Sequence, residues 1–309
     1  SIDQVDTVHL GSGAAITANA LKTITNAVNV TISGSANALT SIQATGAVDV
    51  KDLSNGHNAL TSIAGKTVDL GSGDFTALTS LTGTIKTTGG GVAKLSYDKL
   101  ATQLKDTGLV IDGSAAHKLE ISDATAAGVS TDLSKVTSVG GTSALITITN
   151  VNENITLSAK DQDITETVKL SNINLAITNV GHGDVIDVSG VAKQYGIQLA
   201  NGAFAEANAA NDNNILATVD NINYKGQDLS NELAAAEALK EAGISGAATK
   251  YAAIALQNLL DSKTYIYYYM DKDGDTTINV EEIKVIAVTD ILPTGLTGND
   301  ANSTITFAL

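Results

Sequence analysis

The chain has 309 residues, 43% of them hydrophobic but only 4% aromatic, with one Pro, one Met, no Trp and no Cys. Its 18 basic residues are all Lys and stand against 33 Asp and Glu, a formal net charge of −15. That balance disfavours nucleic acid and anionic membranes, whose phosphates call for positive fields and bidentate Arg contacts; a disulfide framework is excluded, and no apolar run reaches the length of a membrane span. The length fits one or two domains with a large core.

The N-terminal part is repetitive. Val8–Leu10, Val28–Val30, Val48–Val50 and Val68–Leu70 follow one another at steps of twenty residues. A second column runs between them: Leu21 with Ile24, Leu39 with Ile42, Leu60 with Ile63 and Leu78 with Leu81, each pair preceded by Ala. One repeat thus supplies a short strand with alternate residues facing inward, a tight turn, and a second inward Leu/Ile pair. Such a unit cannot bury its apolar face alone, and stacking is the way to bury it. The expectation is a mainly β chain with a parallel β-solenoid of ~20-residue coils over residues 1–180.

Past Gly89–Gly91 the register loosens while the vocabulary persists. Leu100 and Leu104 lead into Leu109–Ile111, and Leu133 and Val136 into Ile146–Ile148; short strands follow at Ile155–Leu157, Val168–Leu170 and Leu175–Ile177. Lys99 to Lys105 fits one or two helical turns on the flank.

Residues 181–309 read as a β-rich C-terminal module with two short helices. Gly181 and Gly183 permit a tight turn, and Asp184 and Asp187 bracket a short apolar strand. Ala203 to Asn214 reads as loop and Ile215 to Tyr224 as strand. Ser230–Glu241, stopped by Gly243, and Ala247–Leu260 carry the Ala/Leu/Glu/Lys content of helices, the first with i, i+3, i+4 apolar spacing. Ser303–Leu309 alternates as a final strand, and it and the edge coils are candidate pairing surfaces.

The densest chemistry lies at Asp271–Glu282. Asp271, Asp273 and Asp275 stand at alternate positions, Thr277 and Asn279 continue the spacing, and Glu282 closes the twelve. This is the order in which a calcium loop delivers oxygens: three short carboxylates, a backbone carbonyl, a polar side chain or water, and a long two-pronged carboxylate. Ile278 holds the aliphatic position, while Thr276 stands where such loops carry Gly. The flanks, Ile266–Tyr269 and Ile283–Val288, are β-branched and aromatic, so the expectation is a calcium loop between two strands, not an EF-hand. The bland alternative is a solvated acidic hairpin.

Enzymatic chemistry is not expected. His9, His57, His117 and His182 are dispersed, without metal-ligand spacing, and read as surface residues of repeats. No nucleophile elbow, phosphate loop or dinucleotide fingerprint occurs. A polysaccharide-active site on a β-helix would want Arg and aromatic sugar platforms, and the one aromatic cluster, Tyr265–Tyr269, lies outside the repeats. Asn29–Thr31, Asn154–Thr156 and Asn302–Thr304 match the N-glycosylation triplet, as a Thr/Asn-rich chain does by chance.

The run Gly183–Gly190, the late Tyr265–Asp275 hairpin and the apolar C-terminus resemble the tail of RTX-type proteins exported by type I secretion, a family that includes serralysin-like proteases and bacterial surface-layer proteins. Two features depart from the family: there is no tandem Gly-Gly-x-Gly-x-Asp array, and the helical stretch 230–260 looks like an insertion. The resemblance implies calcium ligands at Asp271, Asp273, Asp275 and Glu282, together with Asp184 and Asp187, and an export signal in the last few dozen residues. With an acidic, Cys-free solenoid and no His-Glu-x-x-His, the chain resembles a surface-layer protein more than a protease. The expected function is a calcium-dependent, self-assembling subunit of a surface layer or filament, extracellular on a bacterial cell, whose partners are its own copies and a cell-surface polysaccharide. An adhesin module binding glycan or host protein is the alternative, and a polysaccharide-active enzyme a more distant one.

Overall fold

Alternating apolar and polar residues over short Val/Ile/Thr-rich segments make strands, and in the computed structural model these lie in largely parallel sheets. Among the described residues three short α-helices accompany them, Tyr97–Asp106, Ser189–Gln194 and Glu232–Glu241. The structure describes residues 1–10, 21–55, 57–122, 128–141, 144–160, 163–194, 216–222, 229–241, 251–258, 261–270, 272–273, 275, 277–293, 295–299 and 304–308. The expected loop at Ala203–Asn214 and the stop at Gly243 lie outside them. The chain divides into two compact units: Ser1–Ala126, Thr131–Thr149 and Asp161–Glu166, and Ala127–Ser130, Asn150–Lys160 and Thr167–Leu309.

In the first unit, equivalent strands of successive repeats pair in parallel. Val8 lies beside Val30, Val30 beside Val48, Val48 beside Val68, Val68 beside Ile85, and Ile85 beside Ile111. The second column places Ile24, Ile42, Ile63 and Leu81 side by side. A further sheet continues the pattern with Leu119 between Ala93 and Ile146, and Ile121 between Leu95 and Ile148. All these side chains are buried, as are Leu39, Leu60 and Leu78. One position is shifted from the sequence expectation. Val8 pairs with Val30 rather than Val28, which is 42% exposed. The chain turns at Asn26 (φ 53), and Asn29 Oδ1 accepts the Ala47 amide at 2.9 Å, so the inward pair of this strand is Val30 and Ile32.

Two columns that carry no apolar signal also hold the repeats together. The hydroxyls of Thr40, Thr61 and Thr79 donate to the carbonyls of Lys22, Thr40 and Thr61 at 3.0, 3.1 and 3.0 Å. The amides of the same threonines donate to the same carbonyls. At the corners a Cβ on Gly46, Gly65 or Gly83 would meet Val28 O at 2.6 Å, Gly46 O at 3.0 Å and Gly65 O at 2.2 Å. Gly83 also has φ +127, which an L side chain rarely adopts.

The second unit mixes pairings. Leu216–Ile222 runs parallel to Tyr251–Asn258, which is antiparallel to Lys263–Met270, itself antiparallel to Ile283–Thr289. Leu175–Thr178 and Ile155–Thr156 extend that sheet in parallel. Two sequence expectations are corrected here. Of the expected helix Ala247–Leu260 the described part, Tyr251–Asn258, is a strand with a partner on each side, and that pairing overrides the helical preference of its Ala, Leu and Gln. The final strand, Thr304–Ala308, is no open edge; it lies between Val185–Asp187 and Gly295–Asn299, antiparallel to both. The helices expected near Lys99–Lys105 and Ser230–Glu241 form as Tyr97–Asp106 and Glu232–Glu241.

Candidate metal centre

The strands Lys263–Met270 and Ile283–Thr289 pair from Thr264 opposite Thr289 to Tyr269 opposite Ile283, so the acidic segment is the connection of a β-hairpin. Strand alternation puts Tyr265, Tyr267 and Tyr269 on one face. They are 1%, 0% and 1% exposed and form a core with Leu229, Ala235 and Ala238. Tyr265 and Tyr267 stack with centroids 6.3 Å apart. Tyr267 Oη donates to Leu229 O at 2.7 Å, and Tyr265 Oη to the Asp261 carboxylate. On the other face Tyr268 Oη donates to Val188 O at 3.2 Å; burial, and then the Asp187 carboxylate, holds its phenol above the ordinary range. These tyrosines are core residues, and all four aromatics of the Tyr265–Tyr269 cluster are thereby withdrawn from any sugar platform.

Within the connection, Asp271, Gly274 and Thr276 lie outside the described residues. Asp273 and Asp275 are exposed, and each turns Oδ1 back to the amide two residues on, Asp275 N at 3.1 Å and Thr277 N at 2.6 Å. Asn279 Nδ2 donates to Asp273 Oδ2 at 3.2 Å. Glu282 is 4% exposed. Its Oε1 accepts Lys272 N at 2.8 Å and its Oε2 accepts Asn279 N at 3.0 Å, so one carboxylate ties both arms of the loop. Asn279 O in turn accepts Glu282 N at 3.0 Å. Sequence reasoning marked Glu282 as a ligand; its second role as a buried tie has no signal in the spacing. Ile278 is buried in the tyrosine core.

The donor set fits a hard divalent cation in kind: every candidate is an oxygen, and of about four lone-pair sites per ionised carboxylate Asp273 and Glu282 use two on these hydrogen bonds and Asp275 one. Among the described residues no three His, Asp or Glu side chains gather closely enough to hold a metal. A complete shell would therefore need Asp271, the Thr277 carbonyl, and Asn279 presenting its amide oxygen instead of its nitrogen.

Asp184 and Asp187 have local duties. Asp184, 2% exposed, accepts Gly181 N at 2.6 Å and so closes the turn ahead of Val185. Asp187 accepts Ser189 N at 2.9 Å at the start of the helix Ser189–Gln194. Of the histidines, His117 is not on the surface: it is 5% exposed, its Nδ1 accepts Thr87 N at 3.0 Å, and Thr87 Oγ1 accepts Lys118 N at 2.8 Å. His9 and His182 are exposed, and the side chain of His57 lies outside the described residues. Another buried carboxylate, Glu166, is 1% exposed at an inward position between Ile164 and Val168; the strand's alternation was its signal. Asn154, like Asn29, uses its amide oxygen on a backbone N–H, that of Ala176 at 2.8 Å. Comparison with known proteins returned nothing: no family model, no curated sequence and no solved structure matches the chain.

Proposed function

We propose that this chain is a calcium-dependent, self-assembling structural subunit of an extracellular bacterial surface layer or filament, built on a parallel β-solenoid of about 20-residue coils. Residues 1–180 form the solenoid and residues 181–309 the calcium-binding assembly module with a type I secretion-like tail. The reading rests most on the hairpin: an ordered array of oxygen donors between two strands, closed by a buried glutamate that holds both arms. Calcium would be held by Asp271, Asp273, Asp275 and Glu282, with the Thr277 carbonyl and the Asn279 amide oxygen. Bound there, it neutralises carboxylates that otherwise repel. Asp184 and Asp187, each of which also ties a turn in this module, are the further calcium ligands of the same reading.

The net charge of −15 supports the same reading, because divalent cations relieve the repulsion between acidic copies. The partners are further copies of the chain and a cell-surface polysaccharide, with no nucleic acid and no membrane insertion. The test is negative-stain microscopy of purified protein in calcium and after a chelator. Ordered assemblies should form in calcium, disperse in chelator, and be absent from the Asp273→Asn/Asp275→Asn variant. Assemblies that survive the chelator unchanged contradict the calcium half. Protein that stays monomeric in calcium and binds a glycan would instead be an adhesin module.

A further inference from the structure

The loop that ends at Glu282 and the helix Glu232–Glu241, far apart in sequence, share one core. Ile278, inside the loop, is 4% exposed and shares its core with Ala235 and Ala238 of the helix and with Tyr267 and Tyr269 beneath it. Just beyond the loop, Lys284 Nζ meets Glu232 Oε1 at 2.9 Å. That ion pair is half exposed on the lysine side and contributes little by itself. Ile278 is the stronger link, because it is buried in one core with alanines of the helix.

Glu282 holds the loop closed by gripping Lys272 N and Asn279 N on its two arms. Loosening the loop frees Ile278 and opens a void under the helix; lifting the helix exposes Ile278 and removes the reason for the loop to close. Each element therefore helps to shield the other's apolar surface from solvent.

We infer that the loop and the helix Glu232–Glu241 order as one unit, so that cation binding in the loop seats the helix on the tyrosine face and helix seating sets cation affinity. For its effector the inference rests on the calcium reading above; its coupling rests on Ile278 and Glu282. Linkage makes the effect reciprocal: the factor by which calcium tightens the helix equals the factor by which the seated helix tightens calcium.

The experiment pairs hydrogen exchange of residues 229–241 with calcium titration calorimetry, on the full chain and on Ile278→Ala, with Ile278→Val as the milder variant if Ala unfolds the unit. Calcium should slow exchange of the helix amides by about tenfold or more in the wild type. Ile278→Ala alters no proposed oxygen donor, yet it should lower calcium affinity by the same factor by which it lowers calcium-dependent helix protection. Calcium binding that leaves helix exchange unchanged overturns the inference, as does an unchanged affinity in a variant whose helix is loosened. If the wild type binds no calcium, the calcium reading itself fails. The coupling is then decided in chelator by Glu282→Gln: faster helix exchange supports it, and unchanged exchange overturns it.

Discussion

Replacing Glu282 by Gln tests the hairpin with the smallest possible change of shape. The carboxylate is 4% exposed and accepts Lys272 N at 2.8 Å and Asn279 N at 3.0 Å. Hydrogen bonds to a charged group contribute about 1.5–3 kcal/mol each, and a buried donor left without a partner costs about 1–3 kcal/mol. Gln keeps one acceptor oxygen but turns an NH2 toward the other amide, so one bond is lost and the other loses its charge assistance. The neutral amide is cheaper to bury, which offsets part of the loss. The expected destabilisation is about 2 kcal/mol in chelator. Urea unfolding followed by tyrosine fluorescence reads it directly, since the chain has no Trp and four of its eight Tyr lie at 265–269. At a slope of about 2 kcal/mol/M the midpoint should fall by roughly 1 M. A change within about 0.5 kcal/mol, the range of ordinary surface substitutions, would refute the tie, because it would mean that water serves the two amides equally well.

Three further substitutions test the scaffold. Gly83→Ala should lose more than about 2 kcal/mol, since its Cβ would lie 2.2 Å from Gly65 O at φ +127. Gly89→Ala, at φ +85 with nothing within 4 Å, is the control and should lose about 1 kcal/mol by urea titration. Thr61→Val removes one exposed hydroxyl donor to Thr40 O while the Thr61 amide still serves that carbonyl, so the loss should stay near 0.5–1 kcal/mol, roughly one neutral hydrogen bond. Asp112 is held well below the usual carboxylate range by hydrogen bonds from Ser114 and by Lys86, 2.9 Å away. Its folded value lies below the unfolded one of about 3.9, so the stability it contributes is whole above about pH 4 and fades as pH falls further. The gap in urea midpoint between wild type and Asp112→Asn should therefore be open at neutral pH and narrow progressively in acid.

What the sequence made legible was what depends on apolar period. The columns through Val48, Val68 and through Ile42, Ile63, Leu81 could be read because an inward position that must be apolar recurs with each repeat. The Thr40–Thr61–Thr79 ladder and the Gly46–Gly65–Gly83 corner were hidden in the same repeats, since polar and small residues leave no hydrophobic signature. Val28 misled because a turn at Asn26 changes which Val faces inward, and only tertiary pairing decides that. Tyr251–Asn258 misled because local propensity is weak beside two neighbouring strands. In the hairpin, the order of oxygen donors and the β flanks were legible from spacing and residue type. The place of Ile278 in one core with Ala235 and Ala238 was not, because it depends on residues about forty positions away, and the burial of Glu282 was not, because spacing carries no sign of it.

The most direct measurement is sedimentation velocity of the purified chain in calcium, in chelator, and in calcium with the Asp273→Asn/Asp275→Asn variant. A calcium-operated assembly subunit should sediment as large particles in the first condition and as a single small species in the other two. The same distribution in all three would contradict it.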